Sequence, residues 1–342
     1  MIAWVDPTVF VDDLGALAME YVTLGETGMT VSRICVGCGR FGRDEATQLD
    51  ERDAIRFVDR AIDLGINFFD TANIYGRGAS EEILGTALAG HDRDWSVVAT
   101  KVFFDMDADN PNAGGLSRKT IDQELDQSLD RLGMDTVDLY QIHRWDYDTS
   151  IEHTLRALDD VVRRGRVRYI GASSMWAHQF AEALHTSDLL GLERFVSMQN
   201  HYNLTYREEE REMLPLCERE RVGVLPWSPL ARGYLARPQA AVDATPRGQQ
   251  LAESDRLTIY RSNGGDTINE RVAELAASYD ASMAQIAIAW LLHKDVVTAP
   301  IVGMRSIEQL EEAVEAVDIS LDSGDIDYLE EPYEPKKIAG HE

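Results

Sequence analysis

Lysine is scarce in this chain, with five residues (101, 119, 294, 336 and 337) among 342. Basic charge is outnumbered overall: 33 Lys and Arg stand against 60 Asp and Glu, a formal charge of -27. A surface this negative repels phosphate backbones and anionic headgroups, which argues against nucleic acid and membranes as partners. Long apolar runs are missing as well, and no stretch approaches the ~20 residues that span a bilayer. Residues 1–18 lack a basic n-region and carry Asp6, Asp12 and Asp13, so they do not read as a secretory signal. They are expected to be a leader, because the recognisable pattern opens at Met19. Cysteine is confined to Cys35, Cys38 and Cys217. So low and odd a count argues against a disulfide framework and for a reducing, cytoplasmic compartment. Cys35 and Cys38 form a CxxC without a second ligand pair or a thioredoxin-like setting, and read as two partly buried thiols at a strand end. Self-repulsion at this charge weakens a compact state at low salt. At ~1 M salt the Debye length is about 3 Å, so the composition suggests a halophile's protein.

No linker rich in Pro, Gly or Ser divides the chain. What recurs is an apolar strand followed by an amphipathic helix. Strands are expected near 32–37, 66–70, 95–101, 137–142, 167–172, 195–200, 222–227 and 297–302. Helices are expected near 51–64, 80–89, 118–132, 150–164, 176–186, 207–221, 268–292 and 306–316. Ile55, Val58 and Ile62 share one face of the first helix, and Gly65 ends it. Near-continuous apolar runs such as WSVVATK and VDLYQIH suit parallel strands covered by helices on the outside. Eight such alternations predict an α/β fold, a closed (β/α)8 TIM barrel in a single domain over residues 19–332, followed by a tail over 333–342. An open doubly wound sheet is the competing architecture. An N-terminal β-hairpin is expected to turn at Glu26-Thr27-Gly28. Long polar connections, 103–117 and 234–266, follow the third and seventh strands, at the end where barrels do their chemistry.

Two motifs mislead. Gly37-Cys38-Gly39-Arg40-Phe41-Gly42 has the GxGxxG spacing of a dinucleotide fingerprint. Several polar residues separate it from any helical period, so no helix N-terminus could face a pyrophosphate, and it reads as a turn. Tyr333 and Lys337 have a YxxxK spacing, but Pro335 between them rules out a regular helix.

Four polar residues fall at or just beyond the C-terminal ends of successive predicted strands: Asp70, Tyr75, Lys101 and His143. Asp70 alone could cap a turn, Lys101 could be a solvated strand end, and His143 could be a core histidine. Together they set an acid, a phenol, an amine and an imidazole around one rim. That set suits carbonyl reduction, in which hydride reaches carbon and the oxygen needs a proton. Tyr75 can donate it, Lys101 can stabilise the phenolate, Asp70 can hold Lys101 charged, and His143 can polarise the carbonyl.

The blocks NFFDTANIYGRGASEEILG, VVATKV, DLYQIH, GASS, MQNHYNL, LPWSPLARGYL and IVGMRSIEQLEEAV, in this order, resemble the aldo-keto reductase superfamily from Met19 to about residue 316. The resemblance implies that Asp70, Tyr75, Lys101 and His143 form the family's catalytic tetrad. It implies NADP(H) extended across the barrel mouth, acting on a small-molecule carbonyl substrate. Ser173, Ser174 and Gln199 would lie at the carboxamide and Trp227 would stack on the nicotinamide. Ser228, Pro229, Leu230, Arg232 and Gly233 would follow the pyrophosphate. Arg305 and Ser306 would meet the 2′-phosphate, with Gln309 and Glu312 by the adenosine and Gly303 also at the cofactor. Ser174 and Ala313 stand where the family usually has Asn. The potassium-channel β subunits share this fold and tetrad and imply an alternative, a catalytically weak regulatory partner. Nothing in the sequence marks a docking surface or an oligomeric state.

Overall fold

The computed structural model describes residues 19–42, 49–245, 257–339 and 341. The expected leader, 1–18, lies outside the described residues. Strands Tyr21–Thr23 (β1) and Thr30–Ser32 (β2) form an antiparallel hairpin with Tyr21 opposite Ser32. Its turn includes the expected Glu26-Thr27-Gly28, where Leu24 N donates to Met29 O at 2.9 Å.

The main sheet comprises eight parallel strands: Cys35–Gly37 (β3), Phe68–Asp70 (β4), Val97–Val102 (β5), Val137–Ile142 (β6), Val167–Ser173 (β7), Phe195–Gln199 (β8), Gly223–Val224 (β9) and Ile301–Val302 (β10). They run in the order β10-β3-β4-β5-β6-β7-β8-β9. Parallel bridges Val224–Val297 and Trp227–Ile301 join the two outer strands. The sheet thereby curls into the α/β (β/α)8 barrel.

Pleating explains what faces where. Cys35, Phe68, Ala99 and Leu139 belong to a small inner cluster, closed below by Leu24 and Val31 of the hairpin. Their neighbours Val36, Phe69, Val98 and Tyr140 join the larger outer cluster beneath the helices. Because side chains alternate with period two, Asp70, Lys101 and Gln141 sit two residues beyond inner positions. They therefore form the next layer up inside the barrel.

The helical layer contains α1 (Glu51–Asp63), α2 (Ala79–Leu88), α3 (Arg118–Leu132), α4 (Ile151–Arg163), α5 (Ala177–Leu190) and α6 (Met213–Glu220). It continues with α7 (Gln239–Asp243), α8 (Thr258–Arg261), α9 (Gly265–Ser278), α10 (Met283–Leu292), α11 (Ile307–Glu315) and α12 (Ser323–Glu330). Local chemistry sets several boundaries. Asp50 and Ser117 cap α1 and α3 by accepting from Asp53 N and Thr120 N, and Gly133 ends α3 in the left-handed region.

Four expectations need correction. The helix expected over 207–221 is a 3-10 turn, Glu208–Arg211, followed by α6. Pro215 would clash with the carbonyl four residues earlier and cannot lie deep inside a continuous helix. The helix expected over 268–292 is two, α9 and α10, bent by 99°. Asp280 adopts φ 51° at the break, and Ser282 with Gln285 forms a capping box that restarts the chain. The connection over 234–266 is not only loop, since it carries α7, α8 and the end of the 3-10 turn Ala231–Ala236. Cys35 and Cys38 are fully rather than partly buried, and burial pushes both thiols well above their ordinary range. Among the described residues, no single helix is long and apolar enough to cross a membrane.

The last segment is docked. Tyr333 OH donates to Glu208 at 2.7 Å and accepts from Arg207 N at 2.8 Å. The Lys336 amine donates to Ile259 O at 2.7 Å and Ser262 O at 2.6 Å. Ala339 N reaches Tyr206 OH at 2.9 Å, and Tyr147 OH reaches His341 O at 3.1 Å.

Candidate active site

The buried Lys101 amine sits at the centre of the upper layer. It donates to Asp70 Oδ2 at 2.6 Å and Thr71 O at 2.8 Å, and lies 3.3 Å from Tyr75 OH. Burial alone would pull the amine down, but Asp70 and then Tyr75 outweigh it, so Lys101 is held above its ordinary range and stays charged. Asp70 Oδ1 accepts from Gln141 Nε2 at 3.0 Å and Gln199 Nε2 at 2.9 Å. Both carboxylate oxygens are thus occupied. The ion pair cannot drift.

Tyr75 comes from the loop after β4 and is held from both sides. Thr71 Oγ1 meets Ser80 Oγ at 2.8 Å, Ser80 donates to Cys38 O at 2.7 Å, and Asn73 donates to Glu124 at 2.8 Å. The Tyr75 ring lies over Gly39, the second glycine of the misleading motif, where even a Cβ would stand at an ordinary contact distance of 3.5 Å. His143 stands edge-on to Tyr75, with ring centroids 5.8 Å apart, and edge-on to Phe104 at 4.9 Å. Burial first, then the charges of Lys101 and Arg144, hold His143 well below the ordinary histidine range. It is a neutral imidazole at pH 7.

Asp70, Tyr75 and His143 open onto a cavity of about 800 Å³ at the C-terminal end of the strands. Of the residues placed at the cofactor by resemblance, Ser173, Gln199, Trp227, Ser228, Pro229, Leu230, Arg232, Gly233, Gly303, Arg305, Gln309 and Glu312 line it. Ser174 and Ser306 do not. Ser174, at φ 47°, accepts the Trp227 indole N–H at 3.0 Å. Ser306 caps α11 by accepting from Gln309 N. Ala313 lines the cavity beside Glu312.

Sequence reasoning overlooked what lies behind Trp227. His201 stacks on it at 4.1 Å with 8° between planes, and Tyr206 stacks on the far face of His201 at 4.0 Å. The column leaves one Trp227 face to the cavity. Only the run HYNLTY, with its closely spaced rings, carried any signal of it. The lining also includes Gly37, Gly39, Arg40 and Arg144, none of them assigned to the cavity from the sequence. Phe103, Phe104, Met106, Trp145 and Tyr202 are not among the cavity-lining residues. Tyr202 is fully buried against Trp290 and donates to Glu210 at 2.6 Å. Among the described residues no His, Cys, Asp and Glu cluster could hold a metal ion.

Residues 33–334 match the Aldo/keto reductase family. The chain is 41% identical over 340 residues to a protein of Aspergillus parasiticus named versiconal hemiacetal acetate reductase, covering 94% of this chain and 98% of that one. It is 39% identical over 365 residues to aldo-keto reductase dtxS3 of Metarhizium robertsii, covering 98% and 96%. With the family matched along most of its length, this chain belongs to the aldo/keto reductases, oxidoreductases of small carbonyl and alcohol compounds that generally use a nicotinamide cofactor.

Proposed function

We propose that this protein is an NADP(H)-dependent reductase of aldehydes or ketones, reversible in principle, in which Tyr75 supplies the proton. The observation that carries the reading is one buried ammonium, Lys101, held by Asp70 and reaching the Tyr75 hydroxyl at the cavity floor.

The lining suits the cofactor. Trp227 offers a flat face stiffened from behind by His201, as a planar heteroaromatic ring requires. Arg232, Arg237 and Arg305 line the cavity and form no ion pair with a described residue. In a chain of charge -27, such unpaired guanidinium groups suit a ligand rich in phosphate. Ser173 and Gln199 would hold the carboxamide, Trp227 the nicotinamide, and Arg305 the 2′-phosphate. Bound reduced nicotinamide supplies a hydride.

The chain's own residues manage the oxygen. Tyr75 OH donates its proton to the substrate oxygen as negative charge develops there. Lys101 stabilises the phenolate left behind, and Asp70 keeps that lysine charged and in place. His143 Nδ1 is buried with no partner among the described residues. Nothing holds the ring proton at Nδ1, so Nε2–H is free to donate to the carbonyl oxygen and polarise it.

Steady-state oxidation of NADPH with a panel of aldehydes tests the reading, with the Tyr75→Phe variant beside it. Removing a general acid costs about 10²–10⁴-fold in rate. The variant is expected to retain NADPH binding, read by tryptophan fluorescence, and to lose that much kcat. A Tyr75→Phe protein as active as the parent would refute the mechanism. NADPH is expected to bind more tightly than NADH, with Arg305→Leu removing much of the difference.

A further inference from the structure

We propose that Arg144 is an anion receptor in the substrate half of the cavity, so that the preferred substrates are aldehydes carrying a carboxylate. The inference rests on the reductase reading above and adds to it a substrate class. Arg144 directly follows His143 beyond the end of β6 and lines the same cavity as Tyr75 and His143.

Its position separates it from Arg305, the group assigned above to the 2′-phosphate. In the ring β6 stands four strands from β10, on the opposite side of the barrel. Gly303 and Arg305 follow β10, so the two ends of the cavity carry separate positive groups. The Arg144 guanidinium is also held in place. Nη1 donates to His143 O at 2.6 Å, and the group lies 5.6 Å from the centroid of Phe104, which itself abuts His143.

What the guanidinium lacks among the described residues is a counter-ion. The chain holds 60 carboxylates, yet Arg144 pairs with none among the described residues, and its Nε and Nη2 donate to none of them. Asp146, two residues on, is engaged elsewhere: Oδ2 accepts from Leu116 N at 2.7 Å and Oδ1 from Asp148 N at 2.9 Å. A half-buried cation without a partner is costly unless a ligand supplies the charge. Two donor nitrogens with no acceptor among the described residues, on a planar fork, match a carboxylate. Burial weakens the basicity of Arg144 without removing its charge at neutral pH.

The reaction leaves the carboxylate untouched. The aldehyde carbon gains a hydride, hence two electrons, from the reduced nicotinamide, the oxygen gains the Tyr75 proton, and the products are a hydroxy acid and oxidised cofactor.

The experiment compares 4-carboxybenzaldehyde with its methyl ester, and 4-oxobutanoate with butanal, at fixed ionic strength. Each pair is measured with the parent, Arg144→Met and Arg144→Lys proteins. The parent is expected to favour both acids in kcat/KM. In Arg144→Met the acid-to-neutral ratio is expected to fall tenfold or more, mostly through KM, and Arg144→Lys is expected to keep part of it. Turnover of the neutral aldehydes by the parent with no preference for the acids overturns the proposal and leaves the reductase reading standing. The same ratio in the parent and in Arg144→Met also overturns it. Turnover of none of the four compounds sinks both readings.

Discussion

Replacing Lys101 by Met removes the one described side chain that donates to Asp70 Oδ2 and leaves a carboxylate in a layer where Asp70 is 2% exposed. Oδ1 keeps its amide donors from Gln141 and Gln199, so the geometry survives and the loss is electrostatic. Breaking a buried pair from one side costs about 3–5 kcal/mol. The stranded carboxylate can escape by binding a proton, which for an ordinary aspartic acid at pH 7 costs about 4 kcal/mol. The two routes agree, so a loss near 4 kcal/mol is expected in urea unfolding at pH 7. A carboxyl raised in the folded state binds more protons folded than unfolded, so the deficit should shrink as pH falls toward 5. Combining Lys101→Met with Asp70→Asn removes both charges. The double variant is expected to be more stable than the sum of the single effects by about 2 kcal/mol or more. A Lys101→Met protein that loses under 1 kcal/mol, with losses simply additive in the double variant, would refute the account of the pair.

Three further outcomes follow from burial, packing and charge. His143 and His201, 6% and 4% exposed, both lie well below the ordinary histidine range through burial, so the unfolded chain binds more protons and stability falls with pH below the ordinary value of 6.5. Between pH 6.5 and 5.5 each is expected to cost about 1 kcal/mol, and His201→Phe should flatten that part of the urea-unfolding profile by its share. A Cβ at Gly85 would stand 2.3 Å from Leu132 O, where α2 crosses the end of α3. Gly85→Ala should therefore lower stability by about 1–3 kcal/mol and Tm accordingly, and an unchanged Tm would contradict the packing. At charge -27 the Tm is expected to rise from 50 mM-range salt toward ~1 M, as screening shortens to about 3 Å; equal values at both would remove the case for salt adaptation.

Much of the barrel could be read from residue order because parallel strands are buried on both faces and stand out as apolar runs between amphipathic helices. The upper layer could be read for the same reason. Period two carries Phe68 to Asp70 and Ala99 to Lys101, so polar residues closing such runs point inward together. What escaped depends on neighbours distant in sequence. The stack of Trp227, His201 and Tyr206 joins three residues across 27 positions. Tyr202, one position beyond His201, faces Trp290 instead of the cavity, and hydrophobicity alone does not distinguish the two sides. The break at Asp280 was visible only as the Ser282 and Gln285 capping pair inside an otherwise continuous apolar period.

The docked terminal segment has a consequence for the order in which the molecule is completed. Contacts from Tyr333, Lys336 and Ala339 reach back to Tyr206, Glu208, Ile259 and Ser262, and β10 must pair with β3 before the ring can close. During synthesis these residues emerge after the ones they fasten. The upper layer inside the barrel can therefore assemble while the rim above it still lacks its fastening, which comes only once residues 333–341 have emerged.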